Sequence, residues 1–146
     1  MELILWRHAE AEDGFPDSER KLTAKGEKQA AAMAAWLKSR LPQNCRVVAS
    51  PARRTQQTAR ALTADFETLP GVAVGASAEA LLQAVGWPNA KGAVVVVGHQ
   101  PTLGEVASLL LTARQDGWSV KKSAVWWFSD RNGQTALKLV ISPDLL

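Results

Sequence analysis

Residues 93–97 read Ala-Val-Val-Val-Val, closed by Gly92 and Gly98, and His99 comes next. A run of β-branched residues disfavours helix and favours a pleated, buried strand. Apolar on both faces, such a strand needs cover on both sides, as a central strand of a parallel α/β sheet has. The chain opens on a second run of this kind, Leu3-Ile4-Leu5-Trp6, which stops at Arg7-His8. Only two histidines are present, and each follows one of these runs. Open α/β sheets bind ligands just past the carboxyl ends of their strands. Arg7, His8 and His99 are expected there.

The rest of the chain alternates in step with that reading. After a polar loop from Ala9 to Lys21, Thr23 is a good N-cap for a helix. Its apolar residues Ala30, Met33, Ala34, Leu37 and Leu41 keep helical spacing, and Pro42 and Asn44 end it. Arg46–Ala49 reads as a second strand. Ser50 as N-cap with Pro51 at the first helical position predicts a second helix through about Ala64. A loop follows, with a short edge strand expected at Val72-Ala73-Val74. A third helix is expected from Ser77 to near Gly86, and a fourth from Pro101-Thr102 through Leu111. Asn132-Gly133 between two strand-like runs, Ser123–Ser129 and Thr135–Ile141, is a hairpin signal. The expected fold is α/β, a three-layer α/β/α sandwich with a mostly parallel central sheet and a C-terminal antiparallel hairpin. One domain over residues 1–146 is expected from the length.

Several function classes fall away. No apolar run approaches the roughly 18 to 20 residues that span a membrane, and the N-terminus lacks the pattern of a signal peptide. Cys45 is the only cysteine, so neither an internal disulfide nor a multi-cysteine metal site can form. The net charge of +3 suits an anionic ligand but does not argue for nucleic acid. The expectation is a cytoplasmic monomer that needs no cofactor and no metal, and binds neither membrane nor nucleic acid.

Arg7-His8, Ser50-Pro51-Ala52-Arg53-Arg54 and Gly98-His99-Gln100 each follow a strand, so parallel neighbours would gather them at one rim. Two imidazoles, guanidinium forks and helix N-termini together describe a phosphoanion pocket. Arg7-His8-Ala9 after an N-terminal strand resembles the Arg-His-Gly signature of the histidine phosphatase (phosphoglycerate mutase-like) superfamily. Leu22-Thr23-x-x-Gly26-x-x-Gln29-Ala30 is similar to that family's first-helix pattern. Ser50-Pro51-x-x-Arg54-x-x-Gln57-Thr58-Ala59 looks like its second motif, and Gly98-His99 like its third. Each match alone is weak, but all four in order are specific. The resemblance implies that His8 is the nucleophile that accepts the phosphoryl group. It implies that Arg7 and Arg54 clamp the phosphoryl oxygens and that His99 donates hydrogen bonds to the same group. Gln100 is the position for a further backbone donor. His8 needs one ring nitrogen free, so the other is expected on a backbone carbonyl.

Two departures from the family pattern are visible. Ala9 stands where the family usually has glycine, which a backbone with negative φ accommodates. Larger members carry an acidic proton donor between the second motif and the second histidine. Here the glutamates of that stretch are Glu67 and Glu79. Glu79 is the candidate donor, though a carboxylate just inside a helix start also serves simply against the helix dipole. A missing acid matters less for a phosphoramidate, whose leaving nitrogen is protonated before departure. The short middle segment leaves little chain for a cap, and an open pocket admits a phosphate carried on a protein. In length and motif the chain is similar to the small SixA-type phosphohistidine phosphatases. The implied substrate is phosphohistidine on a protein. The alternatives are a small phosphorylated metabolite, or a non-catalytic domain that only binds a phospholigand. A mutase is disfavoured by the short middle segment. Arg53 and Arg60 are expected at the surface, Trp6 in the core, and Trp126 and Trp127 on opposite faces of a strand.

Overall fold

The structure, a computed structural model, describes residues Met1–Leu146. Its elements are β1 (Glu2–Arg7), α1 (Ala24–Lys38), β2 (Arg46–Ala49), α2 (Arg53–Leu62), β3 (Glu67–Thr68), α3 (Ala78–Val85), β4 (Ala93–Gly98), α4 (Thr102–Thr112), β5 (Val125–Arg131) and β6 (Gln134–Ile141). One sheet holds all six strands in the order β3-β2-β4-β1-β5-β6. The first four of that order run parallel, and β5 and β6 add two antiparallel pairings at one edge.

The period-2 alternation of the strands divides the core between two faces. Leu3 and Leu5 of β1 and Val94 and Val96 of β4 pack against α3 and α4, through residues such as Leu81, Val85, Leu103 and Val106. Ile4 and Trp6, with Val95 and Val97, pack on the other face against Met33, Ala34 and Leu37 of α1 and Ala59 and Leu62 of α2. Both central strands are therefore buried on both sides, which is why they read as unbroken apolar runs. Trp127 joins the α1/α2 face and Trp126 the α3/α4 face. The hairpin turns at Asn132 and Gly133, both at positive φ (54° and 79°), the conformation a type I′ turn requires.

Three expected elements differ. The edge strand is Glu67–Thr68, and the residues from Pro70 to Val72 form a single 3-10 turn instead of a strand. Val72 there is an isolated core contact under α3, not part of an alternating pattern. The second helix starts at Arg53, not at Ser50, with Ala52 at its N-cap and no side-chain cap. Ala52 is extended (φ −61°, ψ 143°), and the Ser50 hydroxyl accepts from the Ala52 N–H two residues on (3.2 Å), a local turn that delays the helix. The first helix ends earlier than expected, at Lys38, although the Leu41 N–H still reaches the Leu37 carbonyl (2.8 Å).

The register sets the rim. Arg7 pairs with Gly98, so His8 and His99 leave the sheet side by side. Ala49 pairs with Val97, which brings Ser50 to the same edge.

Candidate active site

His8 and His99 are both buried, 6% and 3% exposed, with ring centroids 5.3 Å apart. The His8 Nδ1 lies 2.7 Å from the Ala9 carbonyl oxygen. A carbonyl only accepts, so Nδ1 carries the proton and the Nε2 lone pair stays free. Burial, reinforced by Arg54 and Arg7 against the opposing pull of the Ala9 carbonyl, lowers the His8 pKa to about 4. His8 is thus neutral at pH 7 with an unencumbered Nε2.

His99 is held by different partners. Its Nε2 is 2.7 Å from the Ser50 Oγ, and its Nδ1 is 3.4 Å from the Arg54 Nη2. Arginine only donates, so Nδ1 is the acceptor and Nε2–H donates to Ser50. Burial, then the neighbouring His8 and Arg54, lowers the His99 pKa to about 3. A dianion in the pocket would reverse that balance and leave Nδ1–H as a donor to it.

Two arginines complete the rim. Arg7 Nη1 donates to the Val120 carbonyl (2.9 Å), and Arg54 Nη1 and Nη2 donate to the Asp17 carbonyl (2.9 Å) and carboxylate (3.1 Å). Arg54 is only 4% exposed, although Asp17 itself is largely exposed. Burial, and repulsion by Arg54, push the Arg7 pKa down. The Nε–H groups of Arg7 and Arg54 are buried and have no partner. Each such orphan donor costs about 1–3 kcal/mol, and each sits on a cation beside the imidazole pair. An anionic oxygen is the kind of acceptor that satisfies such donors.

The motif residues surround the loop that carries His8. Thr23 caps α1 through the Gly26 N–H (2.9 Å), and its hydroxyl donates to the Glu10 carboxylate (2.8 Å). Gln29 accepts from the Glu10 N–H (3.0 Å), and the Thr23 N–H donates to the Glu10 carbonyl (3.0 Å). Gly26 lets the helix touch Glu10: a Cβ there would sit 1.9 Å from the Glu10 carbonyl oxygen. From α2, Thr58 accepts from the Ala9 N–H (3.1 Å) and Gln57 from the Leu22 N–H (2.7 Å). The first-helix and second motifs are therefore clamps on residues 9, 10 and 22. Ala9 is fully buried and is not among the residues with positive φ, so the alanine is unstrained.

The remaining expected residues lie as follows. The Gln100 side chain bridges the Gly104 N–H (2.8 Å) and the Trp118 carbonyl (2.7 Å), fixing the start of α4. Its backbone N–H, outside the strands and helices, donates to no group of the chain. Glu79 stands in the first turn of α3 and accepts from Gln115, with no ion pair or hydrogen bond to His8, His99, Arg7 or Arg54. The carboxylate on the rim is Asp17, which Arg20 also contacts (3.2 Å) and which the two arginines hold below the usual carboxylate range. Sequence reasoning missed Asp17, because the acids of the Ala9–Lys21 loop look alike until the loop folds over Arg54. It also gave Ser50 to the helix instead of to His99. Ser123, fully buried at positive φ (58°), supports the site from below: its N–H donates to the His8 carbonyl (3.2 Å), and its hydroxyl accepts from Trp6 Nε1 (3.1 Å). No three His, Cys, Asp or Glu side chains come together as a candidate metal site.

Comparison with known proteins places this geometry among relatives. A family model described as the histidine phosphatase superfamily (branch 1) matches residues 3–73. An uncharacterized protein of Picosynechococcus sp. is 35% identical over 122 residues, 75% of this chain and 73% of that one. The solved structure of the protein histidine phosphatase SixA complexed with tungstate is 27% identical, with a TM-score of 0.83 and 99% of both chains covered. A putative phosphohistidine phosphatase SixA from Nakamurella multipartitia is 30% identical, with a TM-score of 0.74 over 97% of this chain and 95% of that one.

Proposed function

The chain belongs to the histidine phosphatase superfamily, in its SixA-type branch, and is a phosphatase; on that premise we propose that it acts through a covalent phosphohistidine on His8 and removes phosphate from phosphohistidine on a protein. The observation that carries this reading is a buried, neutral His8 with its Nε2 free, in a site that also holds two arginines, Arg7 and Arg54, whose Nε–H groups have no partner.

The substrate phosphoryl group takes the two orphan N–H groups, and the Gln100 backbone N–H supplies a third donor. The His8 Nε2 attacks phosphorus as the P–N bond to the substrate imidazole breaks. That imidazole, protonated before cleavage, departs neutral. Charge on the equatorial oxygens falls on Arg7, Arg54 and a His99 that the bound dianion has protonated. Phosphoryl transfer depends mainly on such positioning and neutralisation. Water then attacks phosphorus as the P–Nε2 bond breaks, its proton leaves with the inorganic phosphate, and His8 is again neutral with Nδ1–H on the Ala9 carbonyl. The two fixed guanidinium groups supply the positive charge, so turnover continues in the presence of a chelator. Glu79, tied to Gln115 and exposed, is a poor proton donor for an alkoxide leaving group, which favours the nitrogen leaving group.

On this reading residues 1–146 act as one catalytic domain, a monomer in the cytoplasm; a lone cysteine suits a reducing compartment. No helix is long and apolar enough to cross a membrane. The test compares hydrolysis of a phosphohistidine protein with that of phosphoserine and sugar phosphates, with His8→Ala as control. Faster, His8-dependent release from the phosphohistidine protein is expected. Preference for sugar phosphates overturns the assigned substrate, and no release from any of them overturns turnover itself.

A further inference from the structure

Arg7 faces two spaces. One is the rim it shares with His8 and Arg54. The other is an open cleft of about 430 Å³ that it lines with Lys25 at the start of α1 and with Lys121 and Lys122 ahead of β5. The carboxylate among the lining residues is Asp144, whose Oδ1 is engaged by the Ser142 hydroxyl. Lys25, Lys121 and Lys122 are exposed, and none of them has a carboxylate within ion-pair distance or a hydrogen bond from its side chain. Pro143 is the one apolar side chain of the lining.

We propose that this cleft is a docking surface for acidic side chains flanking the phosphohistidine of a protein substrate. The inference rests on the phosphatase reading above and names what its substrate carries beside the phosphoryl group. Asp144 is a single carboxylate, which Lys121 already helps to keep ionised, so the positive charge of Arg7 and the three lysines stays in excess and favours an incoming anionic partner. A lining whose one apolar side chain is Pro143 offers no pocket for a hydrophobic anchor. Lysines on flexible stems suit an irregular acidic surface, whereas a dedicated phosphate subsite is better served by arginine forks. The cleft is also linked to the chemistry: the Arg7 guanidinium is tethered to the Val120 carbonyl, one residue before Lys121. An acidic segment lying on Lys121 and Lys122 would therefore have its phosphohistidine beside the Arg7 end of the rim.

The test uses two phosphohistidine peptides, one with flanking glutamates and one with flanking lysines, and phosphoramidate as a substrate without flanks. Steering by a charged cleft changes association by about 10- to 1,000-fold and fades with salt. At low salt kcat/KM should favour the glutamate peptide by about tenfold or more, and the preference should shrink at high salt. The Lys121→Glu/Lys122→Glu variant should lose or reverse it while hydrolysing phosphoramidate at the wild-type rate, which also shows that the variant is folded. Equal rates for the two peptides, or an equal loss on phosphoramidate, overturn the docking surface. So does a charge-reversal effect confined to a sugar bisphosphate, which assigns the cleft to a small anion. Hydrolysis of phosphoramidate but of neither peptide overturns the inference and leaves the phosphatase standing; failure on phosphoramidate as well, in wild type, marks failure of the underlying reading.

Discussion

Gly26→Ala perturbs the loop that carries His8 through backbone contacts alone. A Cβ at residue 26 would lie 1.9 Å from the Glu10 carbonyl oxygen and 2.9 Å from its carbon, where ordinary contact begins near 3.4 Å. The difference, 3.4 less 1.9, means that α1 and the loop must separate by about 1.5 Å. Three hydrogen bonds hold Glu10 against that movement: it accepts from the Thr23 N–H and the Thr23 hydroxyl, and its own N–H donates to Gln29. Overpacking of this kind costs about 1–3 kcal/mol, offset by roughly 1 kcal/mol of helix propensity gained over glycine. Net stability should therefore fall by no more than about 2 kcal/mol, read by urea unfolding. Activity should fall further. The displaced loop carries the Ala9 carbonyl that fixes the His8 tautomer at 2.7 Å, and a shift of about 1 Å at a catalytic group costs on the order of 10²-fold. Steady-state kinetics on phosphoramidate should show kcat reduced by about 100-fold in a folded protein. Gly117→Ala, where an added Cβ meets nothing within 4 Å, should leave both measurements unchanged. A Gly26→Ala protein with wild-type kcat would refute the view that the first-helix motif exists to clamp the His8 loop.

The pH profile follows from burial: with the His8 pKa lowered to about 4, the proposed nucleophile stays neutral down to that pH. After correction for substrate ionisation, the acidic limb of kcat/KM should fall near pH 4, and a limb near 6.5 would contradict it. Because both histidines hold fewer protons folded than unfolded between their lowered values and 6.5, stability should decline as pH drops from 6.5 toward 4 in urea titrations. Tungstate or phosphate should bind more tightly at pH 5.5 than at pH 8 and with proton uptake, seen by calorimetry in buffers of different ionisation enthalpy, since the bound anion recharges His99; binding without proton uptake would count against that role. Arg54→Lys removes both the fork and the orphan Nε–H and should lower kcat by about 10²–10³-fold, with Asp17→Asn, which only loosens the same guanidinium, showing a smaller loss; equal effects would mean that Asp17 does more than hold Arg54.

The fold was legible because the two valine- and leucine-rich runs admit few alternatives, and their burial on both faces forces helices above and below. The positions of His8 and His99 followed from the runs they terminate. What the residues did not reveal lies in loops and in close approaches. Ser50 reads as a helix cap by composition, yet Pro51 and the extended Ala52 release its hydroxyl to His99. Asp17 belongs to a loop whose path is set by Arg20, Arg54 and the Ala11–Leu22 bridge, contacts with no sequence periodicity. Val72 carries the β-branched look of a strand but follows Pro70-Gly71, which begins a turn. Gly26 and Gln29 were recognisable as a pattern, but only the fold shows that the pattern grips Glu10.

The central claim, a covalent phosphohistidine on His8, is tested most directly by rapid quench of the enzyme with ³²P-labelled phosphoramidate followed by peptide mapping. The label should be acid-labile and base-stable, lie on the peptide containing His8, appear before phosphate release is complete, and vanish in His8→Ala together with turnover. Turnover that persists in His8→Ala, or label on His99 instead, would contradict it.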